Sequence, residues 1–251
     1  MTRYFLGRKP RIHRVPLGPI KGRKICLAFE ISPRMYLGID EPWIAKLAQD
    51  LINPGDVVYD IGAHVGYTCL LFAQRLAGRG VVHAFEVLPL TVEFLRKTVQ
   101  ANEFNNIVVH EVGLGLSTQM LELAIGPTAM TDIYSTPREN ERTELCKIAS
   151  LDEYVKQNKL PPPSLVKIDI EGAEIDCLKG GCELINKYKP IMLIEFHELC
   201  LLKKGCHLLD SWGYSLTTQN ETPVNVRRLE ILKSFHQTVL CLPQDDGLHR
   251  H

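Results

Sequence analysis

The sequence predicts an α/β domain built on a doubly wound, seven-stranded, mostly parallel sheet. Three observations carry this. From Val57 onward, short apolar runs rich in β-branched residues alternate with segments of helical periodicity. The runs are continuous rather than alternating, the mark of strands covered on both faces. A glycine-bearing turn, Asp60-Ile61-Gly62-Ala63-His64-Val65-Gly66, falls where the first run meets its helix, the place where open parallel sheets bind ligands. A chain of 251 residues is ample for such a core, and 45% hydrophobic with 23% charged residues excludes disordered and collagen-like classes.

The elements follow in order. Residues 1–40 are rich in Pro, Gly and Arg and predict an extended segment or a hairpin turning at Lys21-Gly22-Arg23. They are expected to form a basic extension covering the ligand cleft, with the domain proper over 41–251. Asp40 reads as an N-cap with Glu41 and Pro42 in the first turn. Trp43, Ile44, Leu47, Ala48 and Leu51 recur at helical spacing, and Asn53-Pro54-Gly55-Asp56 ends that helix as a turn. Strands are expected at 57–61, 81–85 and 107–112, with helices over 65–76 and through Leu90, Phe94, Leu95 and Val99. This alternation requires right-handed crossovers and a parallel sheet. Residues 120–125 and 146–149 read as strands around a loop at 127–142. Ser150 caps a short helix at 151–157, and Pro161-Pro162-Pro163 is a stiff connector. The alternation resumes with strand 165–170, helix 174–185, strand 191–196 and helix 198–211. Strands 214–217 and 238–242 close the sheet as an antiparallel pair.

The 29 basic and 29 acidic residues balance, yet residues 1–24 hold eight basic side chains and no acid. The rest of the chain is therefore acidic, which argues against a nucleic-acid channel. The basic arm reads as a solvated tail; phosphate, an acidic glycan or a membrane surface are the contacts open to it. No apolar run approaches the ~18 residues that span a bilayer. The N-terminus lacks the apolar core of a secretory signal, so a cytoplasmic protein is expected. The eight cysteines include no Cys-x-x-Cys pair and are expected as buried reduced thiols. His197, Cys200, Cys206 and His207 cluster in sequence but match no zinc spacing, so no metal centre is expected there.

The turn at 60–66 carries Gly-x-x-x-Gly with an acid two residues before the first glycine. It lacks the G-x-G-x-x-G that sets a pyrophosphate on a helix N-terminus. Asp60 suits a ligand bearing an ammonium group, while Gly62 and Gly66 let the turn that carries Ala63 and His64 approach that ligand, all four as expected cofactor-binding positions. Glu86 ends the second strand, followed by Val87, where an acid can take a ribose diol in a bidentate hydrogen bond. Val112 and Gly113, at the third strand end, would flank an adenine. An acid near an ammonium and an acid on a ribose together describe S-adenosylmethionine.

With these residues the sequence resembles the FkbM-type S-adenosylmethionine-dependent methyltransferases. The resemblance rests on Pro54-Gly55-Asp56 running into Asp60-Ile61-Gly62-Ala63-His64-Val65-Gly66-Tyr67, on Ala84-Phe85-Glu86, on Ser150-Leu151-Asp152-Glu153, and on Lys167-Ile168-Asp169-Ile170-Glu171-Gly172-Ala173-Glu174. It covers roughly residues 41–200. It implies a class I methyltransferase fold and O-methylation of a sugar or natural-product hydroxyl, with a small molecule or glycan as acceptor. Two positions depart from the family pattern. His64 stands where Asn is common, and Val87 where Pro often follows the Glu.

Lys167, Asp169 and Glu171 alternate with period two and are expected on one face of the fourth strand. Three charges there require each other, a ligand or a metal. A Lys167–Asp169 pair, with Glu171 capping the next helix, satisfies this without any ligand. Glu195 and His197 share a face at the next strand end, and His197 is the candidate base near neutral pH. Asp169, Glu171 and His197 are thus the candidate catalytic residues, Asp169 lying close enough to touch the cofactor as well. Asp169 with Glu171 could instead hold Mg²⁺. Two rival functions remain open: a non-catalytic S-adenosylmethionine-binding scaffold, and a nicotinamide-dependent oxidoreductase, against which the missing G-x-G-x-x-G counts.

Overall fold

The computed structural model describes residues 10–27, 32–125, 143–219, 222–226 and 237–244. The expected loop at 127–142 and the first nine residues lie outside them. Strands β1 (Arg11–Arg14) and β2 (Lys24–Leu27) form an antiparallel hairpin whose connection includes Gly22 at φ 85°. Helix α1 (Pro33–Leu37) is short and was not foreseen from periodicity. Helix α2 (Pro42–Leu51) buries Ile44, Ala45, Leu47 and Ala48. Its N-cap is Glu41, not Asp40, and no side chain caps it. The Asp40 carboxylate instead pairs with Arg34 Nε at 3.2 Å.

The alternating region then gives β3 (Val57–Ile61), α3 (Tyr67–Leu76), β4 (Val81–Glu86), α4 (Pro89–Ala101) and β5 (Ile107–Glu111). Next come β6 (Gly113–Gly115), β7 (Gln119–Ala124) and β8 (Thr143–Ser150), a separate three-stranded sheet in the order β6-β8-β7. Ser150 Oγ accepts from Glu153 N and caps α5 (Leu151–Asn158) as expected. After β9 (Leu165–Ile168), the single helix expected over 174–185 is two, α6 (Glu174–Gly180) and α7 (Cys182–Tyr188). The break falls at Gly181 (φ −114°, ψ 16°), next to Gly180, where a Cβ would lie 2.0 Å from Gly115 O. Strand β10 (Ile191–Phe196), helix α8 (Leu199–Ser211) and strands β11 (Tyr214–Thr218) and β12 (Gln237–Pro243) complete the fold.

The main sheet has seven strands in the order β11-β12-β10-β9-β3-β4-β5. Strand β12 is antiparallel to both neighbours; β10, β9, β3, β4 and β5 pair in parallel. One core lies between the sheet and α2, α3 and α4, around Leu70, Phe72 and Leu95. The second lies beneath α5 to α8, around Tyr59, Leu178 and Phe196. Burying nearly sixty apolar residues in this way is the main force holding the fold. The basic hairpin joins the first core through Val15, Ile20, Ile25 and Leu27. It is tied to α4 by Cys26 N donating to Thr98 Oγ1 at 3.0 Å and Lys24 N to Asn102 Oδ1 at 2.8 Å. Its described residues therefore brace the outer side of the α3/α4 layer. Among the described residues no helix is long and apolar enough to cross a membrane.

Candidate active site

From β3 the chain winds out through β4 and β5, then returns to place β9 and β10 on the other side of β3. The order thus reverses between β3 and β9, and the crevice beyond their C-terminal ends is the candidate site. Four connections reach it: the turn after β3, the end of β4 with the start of β6, the turn after β9, and the end of β10.

The turn after β3 runs through positive φ at Gly62 (80°), His64 (48°) and Gly66 (94°). Its amides point into the protein. Gly62 N and Ala63 N both donate to Phe85 O at 3.0 Å, His64 N to Glu86 Oε2 at 2.9 Å, and Gly66 N to Ala63 O at 2.9 Å. Packing against backbone requires glycine at 62, and the left-handed φ calls for it at 66. A Cβ at Gly62 would lie 1.8 Å from Asp169 O, so the turn rests directly on the backbone leaving β9. A Cβ at Gly66 would meet Leu95 Cδ1 at 2.7 Å, where α3 crosses α4. The turn expected to let a ligand approach is thus also the joint between β3 and the exit of β9.

Glu86 binds the strand ends together. Its Oε1 accepts from Val87 N and Leu88 N at 2.8 and 3.0 Å, while Oε2 accepts from His64 N. Burial raises its pKa, and those three amides oppose the rise. A carboxylate has about four acceptor positions. Three are taken, leaving about one for a ribose hydroxyl, so bidentate capture of a diol requires sharing an amide bond. Val112 N donates to Glu86 O at 2.9 Å, and Val87 packs over Gly113, so the expected adenine-side residues do assemble beside Glu86.

Asp60 does not present a free carboxylate to the crevice. It is fully buried; Oδ2 accepts from Thr68 Oγ1 at 2.6 Å and Cys69 Sγ at 3.1 Å, and Oδ1 lies 3.7 Å from Lys167 Nζ. The role expected for it toward an ammonium is replaced by one inside the protein, holding Lys167. Lys167 also donates to Asp169 Oδ2 at 3.1 Å. Burial opposes its charge, but Asp169, Asp60 and Glu41 outweigh that and raise its pKa. For Asp169, burial favours the neutral acid, while Lys167 and His197 outweigh it and hold the carboxyl below its usual range.

Strand β9 ends at Ile168, so Glu171 is not its third same-face residue. It sits in the following turn at φ 48°. Nor does it cap α6, whose N-cap is Ala173. It meets His197 instead. His197 Nε2 lies 3.4 Å from both Asp169 Oδ1 and Glu171 Oε2, and Nδ1 lies 2.8 Å from Glu174 Oε1. Burial alone would lower its pKa; the Glu174 hydrogen bond, with Asp169 and Glu171, raises it to about 9. His197 is therefore a cation at neutral pH, which reverses its reading as a base there. A divalent ion between Asp169 and Glu171 would have to displace that cation and stand beside Lys167. Among the described residues no group of three or more His, Cys, Asp or Glu is arranged for a metal.

Two acids that sequence reasoning passed over as site residues converge here. Glu174, wholly buried, receives Gly172 N at 2.9 Å beside His197. Glu41 stands among Lys167, Asp169, Asp40 and Glu195, with Oε2 buried and without a hydrogen-bond partner; burial raises its pKa to about 8. An acid at the start of a helix normally reads as a dipole partner, so only tertiary placement reveals it. Glu195 is likewise raised, by burial and then by Asp169.

The Methyltransferase FkbM domain matches residues 60–216 of the chain. The hexuronic acid methyltransferase AglP of Haloferax volcanii is 27% identical over 156 residues, 61% of each chain. Methyltransferase 1 of Beauveria bassiana is 21% identical over 186 residues, 64% of this chain and 73% of that one. The chain thus spans about three fifths of the AglP relative's length. Among solved structures, a methyltransferase FkbM from Methylobacillus flagellatus superposes with a TM-score of 0.53 at 20% identity, over 76% of this chain and 44% of that one. The precorrin-6y C5,15-methyltransferase of Geobacter metallireducens gives 0.51 at 16% identity, over 81% and 88%. With the family domain matched over more than half of its length, the chain belongs to the FkbM methyltransferase family.

Proposed function

We propose that the chain transfers a methyl group from S-adenosylmethionine to a hydroxyl of a sugar, carried on a glycan or a small molecule. The observation that carries this reading is the inward-turned glycine loop facing a crevice of carboxylates. With the amides of residues 62, 63, 64 and 66 already bonded inside the protein, the loop offers no nest for a pyrophosphate. That counts against a dinucleotide. The acids around the crevice, Glu41, Asp169, Glu171 and Glu195, favour a ligand with cationic groups. S-Adenosylmethionine fits both conditions, and family membership supports it. The sugar acceptor is supported by the name of the AglP relative.

When bound, S-adenosylmethionine supplies a methyl group activated by its sulfonium. Glu86 takes a ribose hydroxyl at its remaining acceptor position, Val112 and Gly113 flank the adenine, and residues 62–66 lie along the amino-acid end. Asp169, fixed by Lys167 and His197, accepts the hydrogen bond of the acceptor hydroxyl and orients its oxygen. Held below its usual pKa, Asp169 is a weak base, so orientation is its larger contribution. The magnitudes agree: alignment supplies ~7–11 kcal/mol, a positioned base only ~10²–10⁴-fold in rate. His197 keeps Asp169 and Glu171 in place as their shared cation. We take residues 41–251 as the catalytic domain with the hairpin as its brace. We place the reaction in the cytoplasm, on the strength of eight unpaired cysteines.

The test is transfer of isotope-labelled methyl from S-adenosylmethionine to a panel of neutral and uronic-acid-bearing oligosaccharides. The expected product is an alkali-stable methyl ether, formed equally well after chelation with EDTA. An alkali-labile product would show a carboxylate to be the acceptor. Binding of S-adenosylmethionine without transfer to any saccharide would contradict the sugar reading and favour a scaffold.

A further inference from the structure

Glu41 belongs to no motif that pointed to the site, yet the fold forces it there. It precedes Pro42, and a residue before proline is steered toward extended backbone. Glu41 instead has φ 40° and ψ 55°, the left-handed region that a residue with a side chain seldom adopts. Two contacts hold the backbone in that shape. Tyr67 Oη, from the first residue of α3, donates to Asp40 O at 3.0 Å, and Ala45 N donates to Glu41 O at 3.1 Å. Glu41 is half-buried as a residue, and its Oε2 is buried with no hydrogen-bond partner.

A buried carboxyl oxygen left unbonded costs stability, and such groups call for an explanation. Its surroundings supply one. Asp60, expected to meet an ammonium, has Oδ2 bonded by Thr68 and Cys69, while Oδ1 makes no hydrogen bond but faces Lys167 Nζ at 3.7 Å. Asp169 is engaged by Lys167 and His197. Glu86 is engaged by three amides. Asp60 Oδ1 and Glu174 Oε2 are also buried and unbonded, but those residues pair with Lys167 and His197, whereas among the described residues Glu41 forms no ion pair, and it follows Asp40, whose carbonyl Tyr67 holds just past the glycine turn.

Resting on the proposed cofactor, we infer that Glu41 is the carboxylate that binds the cationic amino-acid end of S-adenosylmethionine. The groups facing Glu41 are Asp40 on its own segment, Lys167 and Asp169 from β9 and its exit, Glu195 from β10, and Tyr67 from α3. Only Lys167 among these is a cation, and it is engaged by Asp60 and Asp169. Glu41 is thus mostly protonated in the free protein at neutral pH. An arriving ammonium replaces the proton: the O–H bond breaks, the proton leaves to solvent, and the carboxylate accepts the ammonium's hydrogen bond.

Calorimetric titration of the full chain tests this without an acceptor. S-Adenosylmethionine should bind the parent roughly 20-fold more tightly at about pH 7.5 than at about pH 6, as a carboxyl near pH 8 is deprotonated. Buffers of different ionisation enthalpy should report close to one proton released. Glu41→Gln should weaken binding about 10- to 100-fold at the higher pH and flatten the pH dependence, while adenosine, which lacks the amino-acid end, binds both proteins alike. Should Glu41→Gln fail to fold, the pH dependence and proton release of the parent decide. Tight, pH-independent binding by the parent overturns the role of Glu41 and leaves the cofactor reading intact. Failure of both S-adenosylmethionine and adenosine to bind overturns both.

Discussion

His197 illustrates how neighbours define a residue. By type it is the switch of the physiological range. Here three carboxylates surround it, Asp169, Glu171 and Glu174, and its pKa rises from 6.5 to about 9. The sign of the consequence follows. Because the folded pKa lies above the unfolded one, the stabilisation is fully present below about pH 6.5 and is lost as pH rises through about 9. It amounts to roughly 2–3 kcal/mol. Urea unfolding at about pH 6 and about pH 9.5 should show this loss in the parent and not in His197→Gln. Parallel profiles for the two proteins would contradict the assignment. The sequence placed His197 at the right strand end but could not supply its charge state. Glu171 and Glu174 reach it only because the chain turns sharply after Ile168, at Glu171 (φ 48°) and Gly172 (φ 104°).

At the scale of elements, the joints are closer than the sequence reveals. Periodicity located β3 and β10 to the residue and most helices to within two positions, because it encodes which local face is buried. It does not encode contacts between connections. The turn after β3 sits so near the exit of β9 that only glycine fits at position 62. Gly62→Val is therefore expected to cost about 2–5 kcal/mol from left-handed backbone strain and overlap with Asp169 O, read as a lower urea midpoint. A variant with parental stability and abolished S-adenosylmethionine binding would restore the ligand-clearance role. Gly180, packed against Gly115 O at the end of α6, is a second joint of this kind. In the three-stranded sheet β6-β8-β7 the strands read at 120–125 and 146–149 are there, but β6, three residues long, and the separation into a second sheet were not legible, since so short a strand has no period to read.

For the whole molecule, the doubly wound, mostly parallel sheet with its closing antiparallel pair was legible because alternation and crossover handedness leave few topologies. The glycine loop and Glu86 marked the crevice for the same reason: ligands in such sheets lie where the order reverses. The convergence of Glu41 and Glu174 was not legible, because it depends on how α2 and α6 dock rather than on spacing within any segment. The central claim is that this crevice holds the methyl donor. A crystal structure with S-adenosylhomocysteine tests it most directly. The ribose should bond Glu86, the homocysteine chain should lie along residues 62–66 with its amino group toward Glu41, and the sulfur should face Asp169 across the gap between β3 and β9. Product bound elsewhere, or a crevice that stays empty at saturating product, would contradict the account.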